Sequence, residues 1–148
     1  MKKFGSLLGF GIIAMIALSF LVVLMKNLLH YNSNALQDGI LYLHALVFML
    51  GIVYAYWHDK HVRIDIFYQK FSQLKKNRVN FFGTLLLLFP FFAFILYSSF
   101  NYVIDSWKML ETSSNSGGLP FVYIIKSLIL IMPVLMIVLA LFKLLRNK

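Results

Sequence analysis

Four apolar runs divide this chain, each long enough to cross a hydrocarbon core of roughly 30 Å as a helix. They cover residues 7–25, 40–57, 81–100 and 121–142. The first holds Ser19 as its single polar side chain, and the second is broken only by His44, Gly51 and three tyrosines. The third is nearly all Leu and Phe around Pro90, where a kink is expected, and the fourth carries Lys126 and Pro133. In lipid every backbone polar group needs an internal partner, so such runs are expected to be helices. The expected class is an all-α integral membrane protein, a single membrane domain of four transmembrane helices. With 61% hydrophobic and 13% charged residues, no ordinary water-soluble surface fits.

Charge then sets the orientation. Lys and Arg number two before the first run, one in the first link, six in the second, one in the third and three after residue 142. Because positive charge is retained on the inner side, both termini and the link 58–80 are expected to be cytoplasmic. Links 26–39 and 101–120 are then outside. The formal net charge of +9 would suggest nucleic acid in a soluble protein, but here it follows the span ends, so the partner is the bilayer and not nucleic acid. A cleaved signal peptide is the rival reading of the first run, since Lys2-Lys3 precedes it and Ala17-Leu18-Ser19 resembles a cleavage site. The run continues through Met25, longer than a typical signal core, and is read as a retained span.

Two links carry helical patterning. Ile64, Phe67, Tyr68, Phe71 and Leu74 share a stripe, which predicts an amphipathic helix lying in the inner interface between the second and third spans. Beyond the third run, Val103, Ile104, Trp107 and Leu110 keep helical spacing, so one helix over 81–110 would be about 45 Å long. Gly117-Gly118-Leu119-Pro120 is expected to supply a turn and a helix-starting proline.

The residues that could carry chemistry are few. All five carboxylates, Asp38, Asp59, Asp65, Asp105 and Glu111, lie outside the four runs, so no proton relay of a carrier is visible. No catalytic, cofactor or metal residues are expected, and the chain is read as a non-enzyme. The absence of cysteine excludes disulfides and thiolate metal sites. His44 has no second imidazole at matching depth for a bis-histidine haem, and is expected to hydrogen-bond within the bundle or to a partner helix. His58 and His61 are read as interface residues. Lys126 has two readings: its amine snorkels to the outer interface, or it pairs with Glu111 or with a carboxylate or carbonyl of a partner subunit. Asn115-Ser116-Gly117-Gly118 is read as a turn.

Several strings, in order, resemble one family. They are Asp38, the strings 43–51 (LHALVFMLG), 58–68 (HDKHVRIDIFY) and 83–90 (GTLLLLFP), then Glu111-Thr112-Ser113 and Gly117-Gly118-Leu119-Pro120 with Tyr123 and Lys126. They look like successive signatures of the small membrane subunit of tripartite ATP-independent periplasmic (TRAP) transporters, the DctQ-like proteins, and most closely the mannitol/chloroaromatic-type subfamily. Phe121-Val122-Tyr123 departs from the tryptophan-containing pattern of that family. The resemblance implies a small accessory subunit in the bacterial or archaeal inner membrane. Its partners would be a large multi-span permease, which would hold the solute and a coupling ion such as sodium, and a periplasmic solute-binding protein. Subunit contacts are then expected at His44, Gly51, His61, Arg63, Asp65, Gly83, Thr84, Glu111, Gly118, Pro120 and Lys126, with Arg63 and Asp65 holding the cytoplasmic corner. Two alternatives from other classes are the membrane anchor of a respiratory oxidoreductase and a small pore.

Overall fold

A computed structural model describes residues 2–58 and 71–146. Among these residues the chain is all helical: α1 (Lys2–Leu28), α2 (Asn34–Trp57), α3 (Gln73–Gly83), a π-helical segment (Thr84–Leu88), α4 (Phe89–Lys108), α5 (Val122–Lys126) and α6 (Leu128–Arg146). Four continuous helical stretches, 3–28, 34–57, 73–108 and 122–146, are long and apolar enough to cross a membrane. The expected interfacial helix falls largely on residues outside those described. Its last two stripe residues are described and depart from the expectation: Phe71 sits in a bend, and Leu74 belongs to the helix that Ser72 precedes in extended conformation.

The third stretch is longer than its apolar run required. Its 36 residues correspond to about 54 Å of helix. Most of α3 is exposed, and its packing is with its own continuation in the π segment. Pro90 explains the π turn. Without an amide it cannot donate to the carbonyl four residues back, and the helix widens before it: Phe89 N–H donates to the Thr84 carbonyl five residues earlier. The kink expected at Pro90 therefore takes the form of a π segment.

Helix packing proceeds from α1 to α2, from α2 to α6, and from α6 to α4. Leu128, Pro133, Met136 and Ala140 of α6, at spacings of three to five, are buried, as are Phe92, Val103 and Ser106 of α4. Between α1 and α2 the approach is made by glycines. A Cβ on Gly11 would stand 2.7 Å from the Val47 Cγ2, and one on Gly5 would meet the Tyr54 hydroxyl, whereas Gly9 has open space. The working pair is thus Gly5 and Gly11, not the Gly5-x-x-x-Gly9 spacing visible in sequence. Small residues at such contacts matter because lipid provides no hydrophobic drive between helices, leaving close van der Waals packing to hold them. Gly11→Leu is accordingly expected to separate α1 from α2. Its detergent melting temperature should fall below that of Gly9→Leu, where the added side chain has open space, and equal melting of the two variants would refute the close approach.

The two ends of the bundle differ. At the end holding the chain termini, Trp57 stacks on Phe142 with centroids 5.8 Å apart, and Phe4 packs against Tyr54 at 5.9 Å. Lys143 Nζ donates to the Tyr56 carbonyl at 2.6 Å, a cation at a helix C-terminus where the dipole favours it. Links 29–33 and 109–121 lie together at the opposite end.

Candidate functional site

The polar residues at that opposite end form one connected cluster, and local backbone geometry builds it. Helix α4 stops because Leu110 adopts a left-handed φ of 45°. Leu110 N–H then donates to the Trp107 carbonyl (3.1 Å) and Glu111 N–H to the Ser106 carbonyl (3.0 Å), the paired bonds of a Schellman ending. That ending delivers Glu111 to Lys126 of α5, whose ammonium donates to its carboxylate at 2.5 Å. The Lys126 side chain is only 15% exposed, and its Nζ also lies 4.0 Å from the centroid of the Tyr102 ring. Its snorkelling is therefore replaced by pairing: burial leaves the ammonium little water, and a carboxylate and an aromatic face take the place of hydration.

Beyond Glu111 the chain turns at residues 115–118. Gly118 N–H donates to the Asn115 carbonyl at 2.9 Å, and Gly117 takes the positive φ of 71° that the third position of such a turn demands. The loop then lies on the first turns of α2. Leu119 N–H donates to Asp38 Oδ2 at 3.0 Å, Asn34 Nδ2 donates to the Ser116 carbonyl at 2.8 Å, and the Tyr42 hydroxyl lies 3.2 Å from the carbonyls of both Leu119 and Pro120. Asp38 is 7% exposed, and the Ser113 and Asn115 side chains approach the same carboxylate. Gly118 is required here for space: a Cβ would run into Asp38 Oδ2 and Ser113 Oγ. Pro120 does not start the following helix, as the sequence suggested. Phe121, at a left-handed φ of 78°, stands between it and Val122.

Of the residues singled out in sequence, Glu111, Gly118, Pro120 and Lys126 thus meet at one end, joined by Asp38, Asn34, Tyr42, Tyr102 and Ser113. His44 and Gly51 lie on α2, where His44 is exposed and stacks on Phe48 at 5.8 Å, so it is not a histidine satisfied within the bundle. Gly83 and Thr84 stand where α3 passes into the π segment. Among the described residues no atom stands within 4 Å of a Cβ position on Gly51 or Gly83, so both face away from those residues. His61, Arg63 and Asp65 lie outside the described residues.

Searched as a whole, the chain matches over residues 15–147 the family model described as tripartite ATP-independent periplasmic transporters, DctQ component. The chain belongs to the DctQ family. Comparison with curated proteins and with solved structures yields no significant match. DctQ proteins are a component of a transporter, so this chain is a transport protein with multiple membrane spans, and the family is not one of enzymes. Among the described residues no three His, Cys, Asp or Glu side chains gather as a metal site would require. The arrangement can fasten a loop to a helix end.

Within this DctQ cluster Glu111 is the group whose titration is informative. The Lys126 ammonium, and secondarily the nearby Ser106 hydroxyl, hold its carboxyl below the ordinary glutamate range, against a smaller opposing effect of burial. The Ser106 hydroxyl is itself buried and has no partner in full hydrogen-bond geometry. A lowered folded-state pKa gives stability that is present above the unfolded pKa and is lost as pH falls through the folded one. Melting temperature is therefore expected to fall on acidification through the carboxylate range, and the Glu111→Gln variant should lose part of that slope. An identical pH profile for both proteins would show that the pair does not contribute.

Proposed function

We propose that this chain is the small accessory subunit that braces the large permease subunit of a TRAP secondary transporter during uptake of a small organic solute. The observation that carries this reading is the DctQ match over residues 15–147. The fold supports it. The described helices hold their charged side chains toward the ends, and α1 and α2 keep long apolar faces uncovered, with Ile13 66% and Leu41 60% exposed. A brace requires such faces, since one set must meet lipid and another a partner.

In this reading the termini and the link 58–80 are cytoplasmic, and the Asp38–Glu111–Lys126 end faces the compartment where a binding protein would dock. The link contributes an interfacial helix in which Arg63 and Asp65 hold a corner against the large subunit. Solute and coupling ion, sodium in this proposal, are bound by the large subunit. The mannitol/chloroaromatic-type assignment rests on the sequence strings alone and names no solute. The family match favours this reading over a respiratory anchor or a pore, for which no structural feature speaks.

Reconstitution tests it. Vesicles containing the large subunit, supplied with the binding protein and a sodium gradient, are expected to accumulate solute only when this chain is present and co-purifying. Full uptake by the large subunit alone would overturn the proposal.

A further inference from the structure

The exposed imidazole of His44 carries an inference about where the partner sits. His44 lies ten residues into α2 and four past the start of the apolar run 40–57, so about 6 Å inside the outer edge of the expected span. Among the described residues its ring stacks on Phe48, one turn along on the same face. Leu41, His44, Phe48 and Gly51 fall within a sector of roughly 80° at 100° per residue. Leu43, Val47 and Tyr54, the side chains α2 turns toward the α1 glycines, occupy the adjoining sector, and Trp57 packs on α6 from the far side. Leu41 and Phe48 are 60% and 55% exposed, and a Cβ on Gly51 meets nothing.

Lipid tails cannot satisfy an imidazole, and ionisable side chains within spans nearly always turn toward protein or water. A group that is buried by membrane depth yet uncovered by its own chain calls for an occupant with a hydrogen-bonding group at the same depth. Gly51, two turns from His44, removes the bulk that would keep such a helix away. We infer that the Leu41–His44–Phe48–Gly51 face of α2 is the seat of a transmembrane helix of the large permease subunit, which offers His44 a polar side chain or a free backbone carbonyl in the outer half of the membrane. This rests on the accessory-subunit reading and assigns its interface.

The chain has no cysteine, so single thiols can be placed without background. In the co-expressed complex, Leu41→Cys and Phe48→Cys carrying a thiol-linked benzophenone are expected to crosslink to the large subunit several-fold more than Ile13→Cys on the outer face of α1. His44→Leu should lower recovery of the complex by about 3- to 20-fold, the range of one interhelical hydrogen bond in a membrane. Because His44 is exposed in this chain and stacks on an exposed Phe48, the isolated variant should melt as the parent does. Crosslinks between two copies of this chain, or to lipid alone, would overturn the assignment. A large subunit that co-purifies but crosslinks only from Ile13 would overturn this face and leave the accessory role standing. Failure of the parent chain to co-purify would remove both.

Discussion

Asp38→Ala is expected to detach residues 113–119 from α2 and to destabilise the folded chain by about 1.5–3 kcal/mol, the usual worth of a hydrogen bond to a charged group lost from a buried site. The carboxylate is the acceptor for Leu119 N–H and is approached by Ser113 and Asn115, so its removal leaves a part-buried amide without its partner. The Asn34 and Tyr42 contacts with Ser116, Leu119 and Pro120 depend on the same docking and should loosen with it. Asp38→Asn keeps the volume and one acceptor oxygen, so it should retain much of the stability. The measurements are the detergent melting temperature and protease cleavage within 112–119. Equal melting and protection of Asp38→Ala and the parent would show that the loop is held by other means. If the accessory role is correct, uptake should fall in step with protection.

The apolar runs placed the membrane helices because desolvation of the backbone leaves a long apolar segment no alternative to helix. Run length could not reveal where helices extend into polar sequence. Residues 73–80 read as part of a basic link, yet they continue the third helix with their side chains largely exposed. Three turns of the chain were also hidden, since His30, Leu110 and Phe121 take left-handed φ values without glycine. In isolation that conformation costs an L-residue roughly 1–2 kcal/mol, so it is a product of surrounding contacts rather than of local preference. Asp38 was visible only as one element of a family string. Its partners Ser113, Asn115 and Leu119 lie some eighty residues away, and no spacing rule connects them. Glu111, Gly118, Pro120 and Lys126 were legible as elements of the family strings, and the Glu111–Lys126 pair as one of two readings of a lysine inside an apolar run, but no spacing joined the four into one cluster.

The same contrast bears on transport. In the proposed reading the large subunit carries the solute, and the charged side chains with described partners in this chain lie at the two ends of the bundle. The stabilising polar bonds fasten links and helix termini, and the uncovered middle of α2 is left as a surface. In that reading the chain is fastened at its ends and offers its flank to a moving partner.

Gly118→Val should show the largest effect, and its coupling to Asp38 separates a specific clash from general damage. The space a side chain would need at position 118 is already filled by Asp38 Oδ2 and by Ser113 Oγ and Cβ. Those oxygens are tips of short side chains held in the cluster, so making room means breaking the contacts that dock the loop. The variant is expected to lose at least as much stability as Asp38→Ala, with overpacking of about 1–3 kcal/mol added where the Ser113 Cβ cannot retreat. If both substitutions act by undocking one loop, the double variant should be less damaged than the sum of the two, because an already released loop can move away from valine and a carboxylate removed can no longer clash with it. Groups in direct contact typically show couplings of about 0.5–3 kcal/mol. Strict additivity in a double-mutant cycle of melting stabilities would mean that position 118 acts elsewhere and that the Asp38–Gly118 contact does not hold the loop. Sub-additivity, with protease cleavage appearing within 112–119 in all three variants, would identify the loop as a single docked unit whose seat on α2 depends on a carboxylate and on the absence of one methyl group.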